Sequence, residues 1–141
     1  MFLGEYKHTM DSKGRVVIPS KFRKELQQGC VVTKGLDNCL QILTKKNWNQ
    51  ESEKMASLPS TDKTSRQLRR ALFSGAVDSS LDSAGRIQIP ENLRAYSAIK
   101  ENDDVTVTGS GPVIEIWATK TWKKIQSDSD DAFANINEVK G

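Results

Sequence analysis

The chain has 141 residues, of which 36% are hydrophobic and 28% charged, so it fits one ordinary domain or two very small ones. Its mean hydropathy of −0.57 and the lack of any apolar run near ~18 residues exclude a membrane span, and the early Glu5 argues against a secretory signal peptide. Two cysteines, Cys30 and Cys39, are too few for a disulfide framework or a structural zinc site, which predicts a reducing cytoplasm.

Charge is unevenly distributed along the chain. Residues 1–126 carry 20 Lys and Arg against 14 Asp and Glu, whereas residues 127–141 carry one lysine against four acidic residues. A basic body permits nucleic-acid binding through neutralisation of phosphates but does not require it. The Ser- and Asp-rich segment 127–141 is predicted to be an acidic, weakly ordered tail.

An internal repeat organises the sequence. Residues 10–23 read MDSKGRVVIPSKFR and residues 81–94 read LDSAGRIQIPENLR, with seven of fourteen positions identical at an offset of 71. A second block repeats at an offset of 74, where LQIL at 40–43 matches IEIW at 114–117. We therefore predict two tandem modules, residues 1–58 and 72–126, joined by a connecting helix within 59–71.

The first module begins with a turn at Asp11–Gly14, followed by a short β-branched strand that Pro19 ends. Ser20 is a candidate cap for a short helix over 21–26. Strands are predicted over 30–33 and 39–43. Thr44 is a candidate cap for the helix that follows the second of these strands.

The connecting segment and the second module continue in the same order. Thr61 is a candidate cap for a helix over 62–72, with Leu68 and Leu72 facing inward. The second turn at Asp82–Gly85 leads into a strand that Pro90 ends. A short helix, strands over 104–107 and 113–117 and a last helix from about residue 119 complete the module. Modules of about 55 residues are marginal alone, so we expect the two to share one core.

The repeated motif Asp-Ser-x-Gly-Arg has two open interpretations. The aspartate accepts hydrogen bonds inside the turn, the glycine takes a positive φ, and the arginine four positions after the aspartate brings a guanidinium next to the carboxylate. Each pair is either a structural feature of the turn or a basic tip for a phosphate backbone or a base edge. The residues concerned are Asp11, Gly14 and Arg15, and Asp82, Gly85 and Arg86.

Several blocks of the sequence resemble one known family. The repeated Asp-x-x-x-Arg turn, strand, proline and short helix resemble the SpoVT/AbrB swapped-hairpin DNA-binding domain. Two tandem copies, the opening MFLGEY, the blocks DSKGRVVIPSKFRKEL and LRRALFSGA and the closing IEIWATKTW resemble the MraZ transcriptional regulators over about residues 1–125. The resemblance implies a mainly β fold with short helices (α+β), in which two interlocked modules form a pseudo-twofold β-barrel.

The resemblance also implies a function and partners. It implies a cytoplasmic, nucleoid-associated regulator of the bacterial division and cell-wall gene cluster. This regulator binds double-stranded DNA at direct repeats in the promoter of its own operon, as a ring homo-oligomer, commonly an octamer. DNA contact falls on Lys13, Arg15 and Arg86, with Asp11, Gly14, Asp82 and Gly85 orienting the turns, and nearby charge adds Lys7, Lys21 and Arg23 as phosphate contacts. Because Ala84 stands where the first module has Lys13, the first turn is expected to dominate.

Other interpretations stay open from the sequence. The alternative function is a protein-interaction scaffold with only non-specific nucleic-acid binding. An enzyme is not expected, because the single histidine, His8, does not assemble a nucleophile, a base and an orienting group, and no metal, cofactor or small-molecule substrate is predicted. Arg66 and Arg70 share one helix face, as a phosphate contact or as a surface between subunits, and a partner carboxylate is expected there.

Overall fold

The computed structural model describes residues 1–136 and is mainly β with short helices, as predicted. The first module contains β1 (Phe2–Thr9), β2 (Arg15–Val17), α1 (Ser20–Arg23), β3 (Cys30–Lys34), β4 (Leu40–Thr44) and α2 (Lys45–Ala56). The rest of the chain contains α3 (Lys63–Gly75), β5 (Val77–Ser79), β6 (Arg86–Gln88), α4 (Glu91–Ser97), β7 (Asp104–Gly111), β8 (Val113–Ala118) and α5 (Thr119–Ala134). Short 3-10 turns follow α1 at Lys24–Leu26 and β3 at Leu36–Asn38.

Six strands form one antiparallel sheet in the order β1-β7-β8-β4-β3-β5. In the repeat, β1 corresponds to β5, β7 to β3 and β8 to β4. The sheet therefore has the same order of corresponding strands when it is followed from either edge. At the centre, Leu40 of β4 lies opposite Ile116 of β8, and Ile42 lies opposite Ile114. The first strand of each module pairs with a hairpin of the other, β1 with β7 and β5 with β3. Backbone hydrogen bonds therefore interlock the two modules.

The six-stranded sheet does not close on itself within residues 1–136, so the expected pseudo-twofold β-barrel is not confirmed. β1 and β5 are the outermost strands, and β2 pairs with β6 in a separate two-stranded ribbon. Each ribbon strand has three residues, and Pro19 or Pro90 follows two positions later. Because proline has no N–H to extend a ladder, the ribbon stays short and does not bridge the two edges of the sheet.

The hydrophobic core draws on both modules. Val16 and Ile87 lie opposite each other in the ribbon, and both are fully buried. Phe2 is 1% exposed, and its ring meets that of Phe22 edge to face at 5.2 Å. Other large side chains of this core are Met10, Ile18, Leu26, Leu40, Ile42, Ile89, Leu93, Ile114 and Ile116. Neither module supplies this core alone, so the core is shared, as predicted.

Both cysteines and one tryptophan belong to the packing of the molecule. Cys30 and Cys39 are buried free thiols. Burial raises the pKa of Cys30 to about 11 and that of Cys39 to about 12, so both are protonated, weakly polar groups at neutral pH. Trp117 is buried, and its ring centroid lies 5.6 Å from that of the half-buried Trp122.

The helix starts show which predicted caps form. Thr44 caps α2 as predicted, because its hydroxyl oxygen accepts a hydrogen bond from the N–H of Asn47 at 3.1 Å. The prediction for Ser20 is wrong, since α1 begins after Pro19 without a side-chain cap. The prediction for Thr61 is also wrong by one residue, because Asp62 caps α3 by accepting from the N–H of Ser65. A carboxylate at the next position provides the stronger acceptor for that N–H.

Thr44 and Ser20 form a matched pair of hydroxyl substitutions. We expect Thr44→Ala to lower the free energy of unfolding by about 0.5–2 kcal/mol, because the N–H of Asn47 loses its partner. Ser20→Ala removes no cap, so we expect no more than about 0.5 kcal/mol. Urea unfolding followed by circular dichroism measures both values. Equal losses in the two variants would contradict this assignment of the caps.

Helix α3 differs from its prediction along its length. It continues to Gly75, so residues 73–75, which match residues 2–4 in the repeat, are helical rather than extended. The prediction that Leu68 faces inward is wrong, since the side chain is 44% exposed. Arg66 and Arg69 turn back to donate hydrogen bonds to the carbonyls of Ser60 and Leu58. Neither Arg66 nor Arg70 has the expected carboxylate partner among the described residues.

The acidic segment begins as a helix. α5 runs to Ala134 and therefore includes the first eight residues of the segment 127–141. The predicted weak order of its last part falls on residues 137–141, which lie outside the described residues. None of the helices in residues 1–136 is both long and apolar enough to cross a membrane.

Candidate nucleic-acid interface

The first turn is built around the carboxylate of Asp11. Its Oδ1 accepts hydrogen bonds from the backbone N–H groups of Lys13 and Arg15, both at 2.9 Å, and its Oδ2 accepts from Nε of Arg15 at 2.7 Å. The N–H of Gly14 donates to the Asp11 carbonyl and closes the turn. Gly14 has a φ of 76°, a conformation that glycine adopts without steric conflict.

The second turn repeats this geometry. Asp82 Oδ1 accepts from the N–H groups of Ala84 at 3.0 Å and Arg86 at 2.8 Å, and Oδ2 accepts from Nε of Arg86 at 2.8 Å. Gly85 has a φ of 75°. The aspartates and glycines therefore orient both turns, and the Asp–Arg pairing expected from the four-residue spacing is present in each module.

The hydrogen bonds hold both aspartates in the charged form. For Asp11, desolvation acts to raise the pKa, but the hydrogen bonds from the backbone and side chain of Arg15 and from the backbone of Lys13 together lower it. For Asp82, the backbone N–H of Arg86 is the main cause of a lowered pKa. Both carboxylates are thus ionised at neutral pH and keep their arginines in place.

The ribbon presents the two arginines on one face. Side chains alternate across a strand, and the middle residue of each ribbon strand points into the core. The outer face carries the end residues, with Arg15 opposite Gln88 and Arg86 opposite Val17. The two arginines are diagonal neighbours, which places their Cα atoms roughly 7–8 Å apart in an antiparallel pair. Their side chains are 25% and 31% exposed.

The Asp–Arg pairs engage only one nitrogen of each guanidinium. Nε of Arg15 and of Arg86 donates to its aspartate, whereas within residues 1–136 the terminal Nη atoms of both arginines have no hydrogen-bond partner. Two parallel N–H donors match a phosphate or the O6/N7 edge of guanine. The site is therefore equipped to bind anions or guanine bases through oriented, partly exposed arginines.

The structure distributes the other predicted DNA contacts over several elements. Lys13 is exposed at the tip of the first turn, next to Arg15. Lys7 is exposed on β1 and Lys21 on α1, so neither lies on the ribbon. Arg23 is half-buried, and its Nε donates to the carbonyl of Ile18 at 2.8 Å. The ribbon thus carries Arg15 and Arg86, and Lys13 lies in the turn that leads into the first ribbon strand.

Sequence reasoning missed two residues of this site. Gln88 donates from Nε2 to the carbonyl of Lys13 at 2.8 Å, so the second module supports the first turn. Gln88 corresponds to Val17 in the repeat, so the repeat carried no signal for it. Arg94 contacts Gly14 and is the repeat counterpart of Arg23, so the 71-residue offset was a signal that pointed to it.

The lowered pKa values predict how the turns respond to acid. Folding lowers the pKa of both carboxyl groups below the ordinary value of 3.8, so each ionised carboxylate stabilises the folded state above pH 3.8. This stabilisation is lost as the pH falls through the pKa of the folded state. We therefore expect the carboxyl carbons of Asp11 and Asp82 to titrate with NMR midpoints below 3.8. Asp11→Asn is the control variant, and we expect it to lose less stability than the wild-type protein as the pH becomes acidic. A midpoint at or above 3.8 would contradict the hydrogen bonding described for the turns.

The fold and the site together place the protein in the class that has two interlocked β modules and an Asp-x-x-x-Arg turn beside each strand of a short ribbon. The sequence model of the family described as "MraZ protein, putative antitoxin-like" matches the chain twice, over residues 1–71 and 72–139. The chain belongs to the MraZ family, as the sequence resemblance predicted. The family is of a regulatory rather than an enzymatic type.

Proposed function

We propose that this protein is a sequence-specific DNA-binding transcriptional regulator. The observation that carries the proposal is the outer face of the β2–β6 ribbon, where aspartates orient Arg15 and Arg86 and the terminal nitrogens of both arginines have no hydrogen-bond partner within residues 1–136. The major groove of B-DNA admits a two-stranded β-ribbon, and arginine that donates two hydrogen bonds to guanine is a common specific contact there. The ribbon therefore reads bases, and Lys13 at the first tip contacts phosphate.

The proposed target is the promoter of the protein's own operon, within the bacterial division and cell-wall gene cluster. The proposed sites are direct repeats in that promoter, and the protein binds them as a ring homo-oligomer. Several subunits of one ring then bind spaced repeats on the same DNA molecule. Each subunit presents one short ribbon, so affinity for a single repeat is modest. The two modules act within each subunit as one pseudo-twofold unit.

Exposed apolar side chains support self-association. Leu68 and Phe73 of α3 are 44% and 41% exposed, and Phe133 of α5 is 83% exposed. Scattered apolar residues are normal on a protein surface, but Leu68 and Phe73 lie on α3 beside arginines that have no carboxylate partner among the described residues. Light scattering coupled to size-exclusion chromatography measures the number of subunits in the ring.

Fluorescence anisotropy tests the proposed function. The protein is titrated into labelled DNA from upstream of its own gene and into a shuffled DNA of the same composition, each at two salt concentrations. We expect tighter binding to the upstream fragment, with log K falling by about 0.9 per log unit of salt for each phosphate neutralised. Equal weak binding to both DNAs would overturn the proposal and favour a protein-interaction scaffold. Co-purification of a protein partner from nuclease-treated lysate would support that second outcome.

A further inference from the structure

Two arginines cross between the modules and lie on the glycines of the DNA-contacting turns. Arg94 of α4 belongs to the second module, and its guanidinium lies over Gly14 in the first turn. Arg23 of α1 belongs to the first module, and its guanidinium lies over Gly85 in the second turn. The two arginines are counterparts at the 71-residue offset, so the contact occurs twice in the same crosswise sense.

The contacts are close in both turns. A Cβ atom built on Gly14 would lie 3.1 Å from Cζ and 3.2 Å from Nε of Arg94. A Cβ atom built on Gly85 would overlap the guanidinium of Arg23. The glycines are therefore needed for two reasons, the positive φ and the approach of an arginine from the opposite module.

Backbone hydrogen bonds cross in the same way. The carbonyl of Gly14 accepts from the N–H of Ile89 at 2.9 Å, and the carbonyl of Gly85 accepts from the N–H of Ile18 at 2.8 Å. Each turn is thus bonded by the residue that follows the ribbon strand of the other module and contacted by an arginine of the other module. The Asp–Arg pair of each turn stays partly exposed.

The two arginines are held differently. Nε of Arg23 donates to the carbonyl of Ile18, whereas Nε of Arg94 is buried and has no hydrogen-bond partner in the described part of the chain. Nη1 of Arg94 lies 3.9 Å from a carboxylate oxygen of Glu101, a weak ion pair. Arg94 is therefore held mainly by packing on the turn and by this single distant charge.

We propose that Arg23 and Arg94 are positioning residues, each of which holds the DNA-contacting turn of the opposite module in its binding geometry. The inference rests on the proposed function, because it assigns these residues a role in DNA binding without direct contact. A change in one module then alters the turn of the other. Arg94 has the larger effect on DNA binding, since it holds the first turn, which carries Lys13 and precedes Arg15.

Amide hydrogen exchange in the free protein tests the crosswise contact. We expect Arg94→Gln to raise the exchange rates of the amides at 13–15 by about tenfold, equivalent to about 1.4 kcal/mol, and to leave those at 84–86 within about twofold. Arg23→Gln should show the opposite pattern. Lys46→Gln, which changes an exposed lysine of α2, is the control and should alter neither turn. Faster exchange in a variant's own module, or unchanged exchange in both turns, would overturn the proposal.

The salt dependence of DNA binding separates positioning from contact. A lost phosphate contact lowers the salt slope by about 0.9, whereas a misplaced turn weakens binding at every salt concentration. We expect Arg94→Gln to lower promoter affinity about tenfold, with the same salt slope as Arg94→Lys. Arg94→Lys keeps the charge but loses the planar group over Gly14, and it should resemble Arg94→Gln in exchange and affinity. A slope reduced by about one in Arg94→Gln but not in Arg94→Lys would overturn the proposal.

The positioning role of Arg23 and Arg94 and the proposed function can be contradicted separately. If the wild-type protein does not discriminate promoter DNA from shuffled DNA, the proposed function fails, while the exchange pattern in the free protein still tests the crosswise contact. If Arg94→Gln unfolds the chain, Arg94→Lys provides the same exchange measurement. Thermal unfolding of each variant establishes that the fold is intact before exchange is compared.

Discussion

The Arg15→Ala variant is expected to bind promoter DNA roughly 5- to 150-fold more weakly than the wild-type protein, which corresponds to about 1–3 kcal/mol for one base-reading arginine. The reason is geometric. Asp11 engages Nε of Arg15 and leaves the two terminal nitrogens as a fixed pair of donors, so alanine removes both contacts together. Fluorescence anisotropy with the upstream and shuffled DNA fragments measures the loss and shows whether it is specific to sequence.

Three further variants define the origin of that loss. Arg15→Lys keeps the positive charge but not the two parallel donors, so it should lose discrimination while retaining part of the non-specific affinity. Arg86→Ala should have a smaller effect, because the second tip has Ala84 in place of a lysine. Lys46→Ala removes a positive charge from the exposed surface of α2 and should leave affinity nearly unchanged. If Arg15→Ala binds like the wild type, the ribbon is not the DNA interface.

The Phe2→Ala variant is expected to lose about 3–5 kcal/mol of stability, a large part of the total for a protein of this size. Phe2 is 1% exposed and packs edge to face on Phe22, while its backbone belongs to β1, which pairs with β7 of the other module. Removing the ring leaves a cavity where the two modules meet. Urea unfolding measures the change, and a single transition should persist because the modules share one core.

Leu3→Ala is the matched control for this prediction. Leu3 is the next residue of the same strand, but its side chain is 66% exposed. We expect the free energy of unfolding to change by no more than about 0.5 kcal/mol, because little apolar surface is uncovered. Comparable losses in Phe2→Ala and Leu3→Ala would contradict the burial of the β1 face described here.

Features set by neighbouring residues were predictable from sequence. The two turns require aspartate, glycine and arginine at fixed spacing, and the hydrogen bonds that their aspartate side chains accept come from residues at most four positions away. Pro19 and Pro90 end the ribbon strands because they lack an N–H, wherever the strands lie. Thr44 caps α2 through a bond to a residue three positions away. The family resemblance rested on the same local blocks, repeated in order.

The remaining features depend on contacts between distant parts of the chain. Strand β1 pairs with β7, about a hundred residues later, and the pairing of β2 with β6 leaves the larger sheet open. Gln88 supports the first turn because the antiparallel register places it opposite Arg15. The crossing of Arg23 and Arg94 arises in the same way. Local sequence determined the two turns and their charges. The tertiary structure decided which module holds each turn, because the contacts that hold the turns come from long-range strand pairing and packing.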